Sequence, residues 1–183
     1  MNRSFVFLAD GFEEIEALTV VDVMRRAGMD VKTVSINKTN KVTGAHGIGV
    51  EADILFDEAD YSDAEWLVAP GGMPGATHLH EHAQLSALLS SHNDKGGKIA
   101  AICAAPAVVL SPLGILDGKE ATCYPGFEQM CEKAVMKNQP VVALDRIITG
   151  NGPASATKFA LAIVANSMGE AIAREVADGM LLK

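Results

Sequence analysis

The sequence predicts a doubly wound α/β sandwich with a mostly parallel central sheet, flavodoxin-like in general plan. Short apolar runs recur without polar alternation, as strands buried on both faces do. Longer segments of helical periodicity separate them, so the connections are crossovers rather than hairpins. The chain has 183 residues, about one domain's worth. No repeat, low-complexity tract or Pro/Gly/Ser-rich linker divides it, so a single domain is expected over residues 1–183.

Strands are expected at Ser4–Ala9, Val31–Ile36, Trp66–Ala69, Ile99–Cys103 and Val141–Leu144. Each is a short apolar run rich in β-branched or aromatic residues, or bounded by Gly and Pro. Helices are expected at Glu13–Ala27, Gln84–His92, Pro106–Leu110, Ala154–Ser167 and Glu170–Asp178. The segment Lys41–Phe56, with Gly44, Gly47 and Gly49, reads as a β-hairpin excursion. In such sheets ligands sit at the carboxyl ends of the strands, so chemistry is sought in the residues that follow each strand.

Composition narrows the function. Hydrophobic residues make up 49% and charged residues 21%, which excludes disorder. The net charge of −8 argues against a general nucleic-acid or anionic-membrane binder, which needs a basic face. The longest apolar stretch, Ile99–Leu110, is interrupted by Pro106 and falls short of the roughly 20 residues of a spanning helix. The first residues lack a charged-then-apolar-then-small leader pattern. Three cysteines, Cys103, Cys123 and Cys131, are too few and too widely spaced for a disulfide framework or a zinc ribbon. A reducing cytoplasm is the expected home.

The sharpest chemical feature is Ile99-Ala100-Ala101-Ile102-Cys103-Ala104-Ala105-Pro106, a strand running into a turn and a helix. Pro106 suits the first helical position. Cys103 sits at the corner, where unpaired N–H groups and the helix dipole favour a thiolate. Small neighbours permit a sharp elbow. The competing reading is a buried, inert thiol.

Glu16 is the second. At about 100° per residue, Phe12, Glu16, Val20, Val23 and Ala27 fall within about 40° of one line. A carboxylate in the middle of an apolar stripe has its pKa raised and can act as a neutral acid. The alternative is an acid facing water and offsetting the helix dipole, but Glu13 and Glu14 are expected to fill that role.

Trp66-Leu67-Val68-Ala69-Pro70-Gly71-Gly72-Met73-Pro74-Gly75-Ala76 is the third: a strand followed by a loop of exposed amides. Those amides could form an oxyanion hole together with the Ala104 N–H. The loop matches neither a dinucleotide-binding nor a phosphate-loop pattern. Gly152 and Pro153, after Thr149-Gly150-Asn151, form a simple helix start or one wall of the pocket. His78, His80 and His82 lack an acidic or cysteine partner at metal-ligand spacing and read as solvated loop residues. No metal or cofactor is expected. Ile15, Leu18 and Val21 lie on the side of the first helix away from Glu16, which predicts a homodimer through residues 13–27.

Together these segments resemble the ThiJ/PfpI superfamily, and within it the Parkinson-associated deglycase-like and YajL-like subfamily. The resemblance rests on Asp10-Gly11-Phe12-Glu13-Glu14-Ile15-Glu16, Val21-Asp22-Val23-Met24-Arg25-Arg26-Ala27-Gly28, the Pro70–Ala76 loop, Ala101–Pro106 and Gly152-Pro153, and covers nearly the whole chain. It implies a homodimer built around the first helix, with Cys103 as elbow nucleophile and Glu16 as the protonated acid beside it. Gly72 and Ala104 would be oxyanion donors, with Gly71 in the same loop. His46 would reach toward the partner's site, where the family often has arginine. It also implies cofactor-free action on methylglyoxal or on glycated amines and thiols. One departure stands out. Relatives often carry a histidine just before the proline matched by Pro125, whereas this chain has Tyr124, which supplies a hydroxyl but no base near neutral pH.

The leading expectation is therefore a cofactor-free cysteine enzyme of reactive carbonyls, glyoxalase-like or deglycase. A redox-sensing stress protein or chaperone working through oxidation of Cys103 is the alternative. A thiazole-phosphate enzyme is a weaker one, because no phosphate site stands out beyond the Gly150–Pro153 turn. Cys123 and Cys131 read as structural or weakly reactive, and a disulfide between Cys103 and Cys123 under oxidation is conceivable.

Overall fold

The apolar runs do become the strands of one central sheet. The computed structural model describes residues 3–182. In chain order the elements are β1 (Arg3–Leu8), α1 (Glu14–Arg26), β2 (Val31–Ser35), β3 (Lys41–Thr43), β4 (Gly49–Glu51), β5 (Ile54–Leu55), β6 (Ala64–Ala69), α2 (Gly75–Glu81), α3 (Ala83–Asp94) and β7 (Lys98–Ile102). A π-helical turn at Pro106–Leu110 follows, then β8 (Glu120–Ala121), β9 (Val135–Met136), β10 (Val141–Ala143), β11 (Ile147–Gly150), α4 (Ala156–Met168) and α5 (Glu170–Gly179).

The main sheet has seven strands in the order β10-β11-β7-β6-β1-β2-β5. All its pairings are parallel except β10 with β11. On one face α1 packs against α4 and α4 against α5; α2, α3 and the π-helical turn form a second group of mutual contacts. Phe5, Phe7, Trp66, Leu67, Ile99 and Ile102 are fully buried between the layers. Each such side chain contributes about 1.5–3 kcal/mol relative to exposure. The fold is the predicted α/β sandwich. Strand order reverses between β1 and β6, and the carboxyl ends there and at β7 are where the site assembles.

Several elements depart from the sequence reading. Val141–Leu144 was expected in the parallel sheet, yet Val141–Ala143 is its antiparallel edge. The parallel neighbour of β7 is β11, which pairs Ile147 with Ile99 and Gly150 with Ile102. The Lys41–Phe56 excursion contains the expected hairpin, with Val42 opposite Val50, but Ile54–Leu55 leaves it to join the main sheet beside β2. His78 and His80 were expected in a loop. They lie in α2, and the His82 ring Nδ1 accepts the Leu85 N–H at 3.1 Å, capping α3. The helix expected at Ala154 starts at Ala156, after a 3₁₀ turn at Pro153–Ser155.

Candidate active site

Cys103 follows β7 directly and has φ of +63°, one of two non-glycine residues with positive φ among those described. That conformation costs roughly 1–2 kcal/mol. The surroundings hold it there from three sides. Its N–H donates to Gly150 O (2.9 Å), and its carbonyl accepts from Tyr124 N–H (2.8 Å). The amides of Gly72 and Ala104 face its sulfur and favour its charged form. The elbow read from the sequence is present, and Cys103 is 8% exposed.

Glu16 projects from the buried stripe of α1, as its spacing predicts. Phe12, Val20 and Val23 on the same line are buried with it. Its Oε2 accepts the Gly71 N–H at 2.8 Å. Its side chain lies beside the Cys103 side chain across Gly71. The remaining oxygen, Oε1, is buried without a hydrogen-bond partner. Gly71 fills the gap between the two groups. A Cβ there would lie 2.5 Å from Cys103 Cβ and 2.6 Å from Glu16 Oε2, so no side chain fits.

Glu13 was missed by the sequence reading, which placed it with Glu14 on a solvated first turn. Both are buried. Glu13 Oε2 caps α1 by accepting the Glu16 N–H at 2.7 Å. Its own N–H donates to Gly71 O at 2.9 Å. It therefore orients both the acid and the amide that binds the acid. Its position three residues before Glu16, at the start of an apolar stripe, was the available signal.

The electrostatics correct one expectation. Burial pushes the Glu16 carboxyl up to about 7, against hydrogen bonds from Cys103 and Gly71; the charge of Glu13 adds to the rise. A low thiol pKa was expected at Cys103. Instead burial first, then the charge of Glu16 and its hydrogen bond, push the thiol up to about 12, outweighing the Gly72 and Ala104 amides. The amides act as the elbow argument requires, but that argument left out the neighbouring carboxylate. With Glu16 protonated, the repulsion is gone and the acid can donate to the sulfur. The pair thus competes for one proton and titrates as a unit.

The other residues singled out by sequence lie at varying distance from this pair. Tyr124 reaches Cys103 through its backbone, while its side chain is exposed. A Cβ on Gly152 would sit 3.3 Å from the Tyr124 ring, so the turn leading to Pro153 forms a wall behind it. His46 does not bond the pair within this chain. Its Nδ1 lies 2.7 Å from Glu14 Oε2, and its N–H donates to Glu14 Oε1 at 2.8 Å. Glu13, Glu14 and His46 bring ligand atoms within 4.8 Å of one another, but their mutual bonds and the helix cap already occupy them.

An elbow cysteine, a buried acid and paired amides on a doubly wound sheet narrow the ancestry. The DJ-1/PfpI family model matches residues 2–166. The chain belongs to the DJ-1/PfpI family. It is 34% identical to protein dj-1beta of Drosophila melanogaster, over all of this chain and 98% of that one. It is also 34% identical to the glutathione-independent glyoxalase DJR-1.2 of Caenorhabditis elegans, over 83% of this chain and 81% of that one. Protein DJ-1 homolog B of Arabidopsis thaliana is 33% identical over the whole chain, which spans only 42% of that relative's length. Among solved structures, oxidized Toxoplasma gondii DJ-1 superposes with a TM-score of 0.94 at 36% identity, covering 99% of this chain and 98% of that one. No helix among the described residues is long and apolar enough to cross a membrane.

Proposed function

We propose that this protein is a cofactor-free, cysteine-dependent enzyme of small reactive carbonyls, with methylglyoxal as the model substrate. The observation that carries the reading is the convergence of Cys103, the Glu16 carboxyl and the Gly72 and Ala104 amides on one point. The name of the Caenorhabditis elegans relative supports the substrate class.

In this scheme the proton shared by the pair rests on Glu16, leaving Cys103 as thiolate. The sulfur attacks the aldehyde carbon, and the carbonyl oxygen becomes an alkoxide held by the Gly72 and Ala104 amides. Glu16 gives that oxygen its proton, and the hemithioacetal forms. Glu16, now a base, removes the proton from the former aldehyde carbon and returns it to the adjacent carbon through an enediol. The product is a thioester. Water cleaves it to lactate and regenerates the thiol. With a glycated amine or thiol, the same attack would release the amine or thiol as a deglycase does. The test is lactate formation from methylglyoxal without glutathione. Turnover is expected in wild type and background in Cys103→Ala; full turnover in that variant rejects the scheme.

One observation favours a second reading, that of a redox sensor. Glu16 Oε1 is buried without a partner of its own, beside a sulfur that would carry acceptor oxygens once oxidised. The Toxoplasma gondii relative is described as oxidized. Selective oxidation of Cys103 by mild peroxide with negligible lactate formation would favour this reading.

A homodimer through α1 belongs to the same proposal. Ile15, Leu18 and the nearby loop residue Ile48 are 56%, 40% and 54% exposed, an apolar surface suited to a second copy. Val21, expected on that surface, is buried within the chain. Light scattering is expected to give a dimer, and a monomer contradicts it. A reducing cytoplasm fits three free thiols.

A further inference from the structure

The Cys103 mechanism leaves two thiols unused, and the fold places Cys123 near it and Cys131 near Cys123. Tyr124 N–H donates to Cys103 O at 2.8 Å. With standard backbone dimensions, the Cα atoms of Cys103 and Cys123 are then separated by no more than about 7.6 Å. Disulfides span about 4.4–6.8 Å between Cα atoms, so a small shift joins the two. Beyond Cys123 the chain turns through Phe127 and the 3₁₀ turn Glu128–Met130, and Cys131 N–H closes on Glu128 O at 2.9 Å. This turn brings the Cys131 sulfur within interaction range of Cys123, whose thiol donates to Tyr124 O at 3.5 Å. Ser111, whose hydroxyl holds Met130 O at 2.8 Å, also faces the Cys131 sulfur. All three cysteines are free.

We propose that Cys123 and Cys131 are a resolving pair, which reduces a sulfenic acid on Cys103 back to the thiol and keeps the oxidation as a Cys123–Cys131 disulfide. The proposal rests on the reading of Cys103 as the reactive thiol. The oxidant is hydrogen peroxide or an organic hydroperoxide. Cys103 thiolate attacks the peroxide oxygen; the O–O bond breaks, the departing hydroxide or alkoxide takes the Glu16 proton and leaves as water or an alcohol, and sulfur loses two electrons to become the sulfenic acid. Cys123 sulfur then attacks Cys103 sulfur. An S–S bond forms, the S–O bond breaks, and hydroxide leaves as water with the Cys123 proton. Cys131 next attacks the Cys123 sulfur, Cys103 leaves as thiolate, and the Cys131 proton returns to Glu16. The sum is one peroxide and two thiols converted to one disulfide, water and water or an alcohol. Cys123 also lines a cavity of about 210 Å³ with Pro125, Glu128 and Asn138, through which an external thiol can reach Cys123.

The test is one equivalent of hydrogen peroxide added to the reduced protein, then alkylation of free thiols and non-reducing peptide mass spectrometry. Wild type is expected to show the Cys123–Cys131 disulfide with Cys103 alkylated. Cys131→Ala is expected to trap Cys103–Cys123, and Cys123→Ala to carry Cys103 on to sulfinate several-fold faster than wild type. Sulfinate on wild-type Cys103 with Cys123 and Cys131 both alkylated overturns the relay while leaving Cys103 reactive. A Cys103 that neither oxidises nor alkylates overturns the relay and the functional reading together. A disulfide that forms equally fast in Cys103→Ala overturns Cys103 as the point of entry. The wild-type result decides without any variant having to fold.

Discussion

Glu14 and Glu16 occupy one turn of α1, two residues apart and both buried, yet their carboxyls shift in opposite directions. Burial pushes Glu14 up, but the hydrogen bonds it accepts from the His46 ring and backbone and from Ile48 outweigh it and hold the group below the usual range. Glu16 also feels burial first, but receives only Gly71 N–H and the Cys103 thiol and ends at about 7. The donors that face a buried carboxylate, more than its burial, decide whether it stays charged. The inward acid is thereby kept protonatable beside a sulfur, while the outward acid stays ionised beneath an exposed histidine.

The comparison can be broken most strongly at the inward site. Cys103→Ala is expected to reduce lactate formation from methylglyoxal to background. Glu16→Gln keeps the shape and removes the transferable proton, so a loss of about 10²–10⁴-fold in kcat is expected. That loss should leave the circular dichroism spectrum unchanged.

Folding stability sharpens the same contrast. The Glu16 pKa is raised from 4.5 to about 7 in the folded protein. Its stabilising contribution is therefore complete below pH 4.5 and declines as pH rises through 7. Relative to Glu16→Gln, wild type should lose about 3 kcal/mol across that window, measured by urea denaturation at several pH values. Gly71→Ala comes next. Its Cβ would meet the fixed Cys103 Cβ, so a destabilisation of about 1–3 kcal/mol is expected, together with loss of the bond to Glu16.

The smallest effect is at the outward site. Glu14 contributes stability above its unfolded pKa of 4.5, lost as pH falls through its lowered folded value. His46 contributes below its unfolded value of 6.5, lost as pH rises through its raised one. His46→Ala should weaken the loss of stability below pH 4.5 and remove the His46 part of the loss above pH 6.5, leaving the Glu16-dependent slope intact. A variant that also erases that slope would show that the two acids are coupled.

Much of the arrangement was legible in residue spacing. The Phe12–Glu16–Val20–Val23 line placed a carboxyl in the core, and the run from Ile99 into Pro106 placed a cysteine at a corner. Long-range pairing was not legible. Ile147-Ile148-Thr149-Gly150 is too short and too soon interrupted to advertise a central strand; β7 alone makes it one. Glycine at position 75 concealed the start of α2, which packs against the π-helical turn. Glu13 and Glu14 read as solvated because acids usually are. Their burial depends on the hairpin loop carrying His46, distant in sequence and folded over α1.

A pH profile of Cys103 alkylation in wild type and Glu16→Gln probes the shared proton most directly. Wild type should react in two steps, near pH 7 as the pair loses its first proton and near pH 12 as it loses the second. The variant, with one titrating group and no carboxylate repulsion, should show a single step below 12. Identical single-step profiles in both proteins would mean that the acid and the sulfur titrate independently, and the mechanism built on their exchange would be wrong.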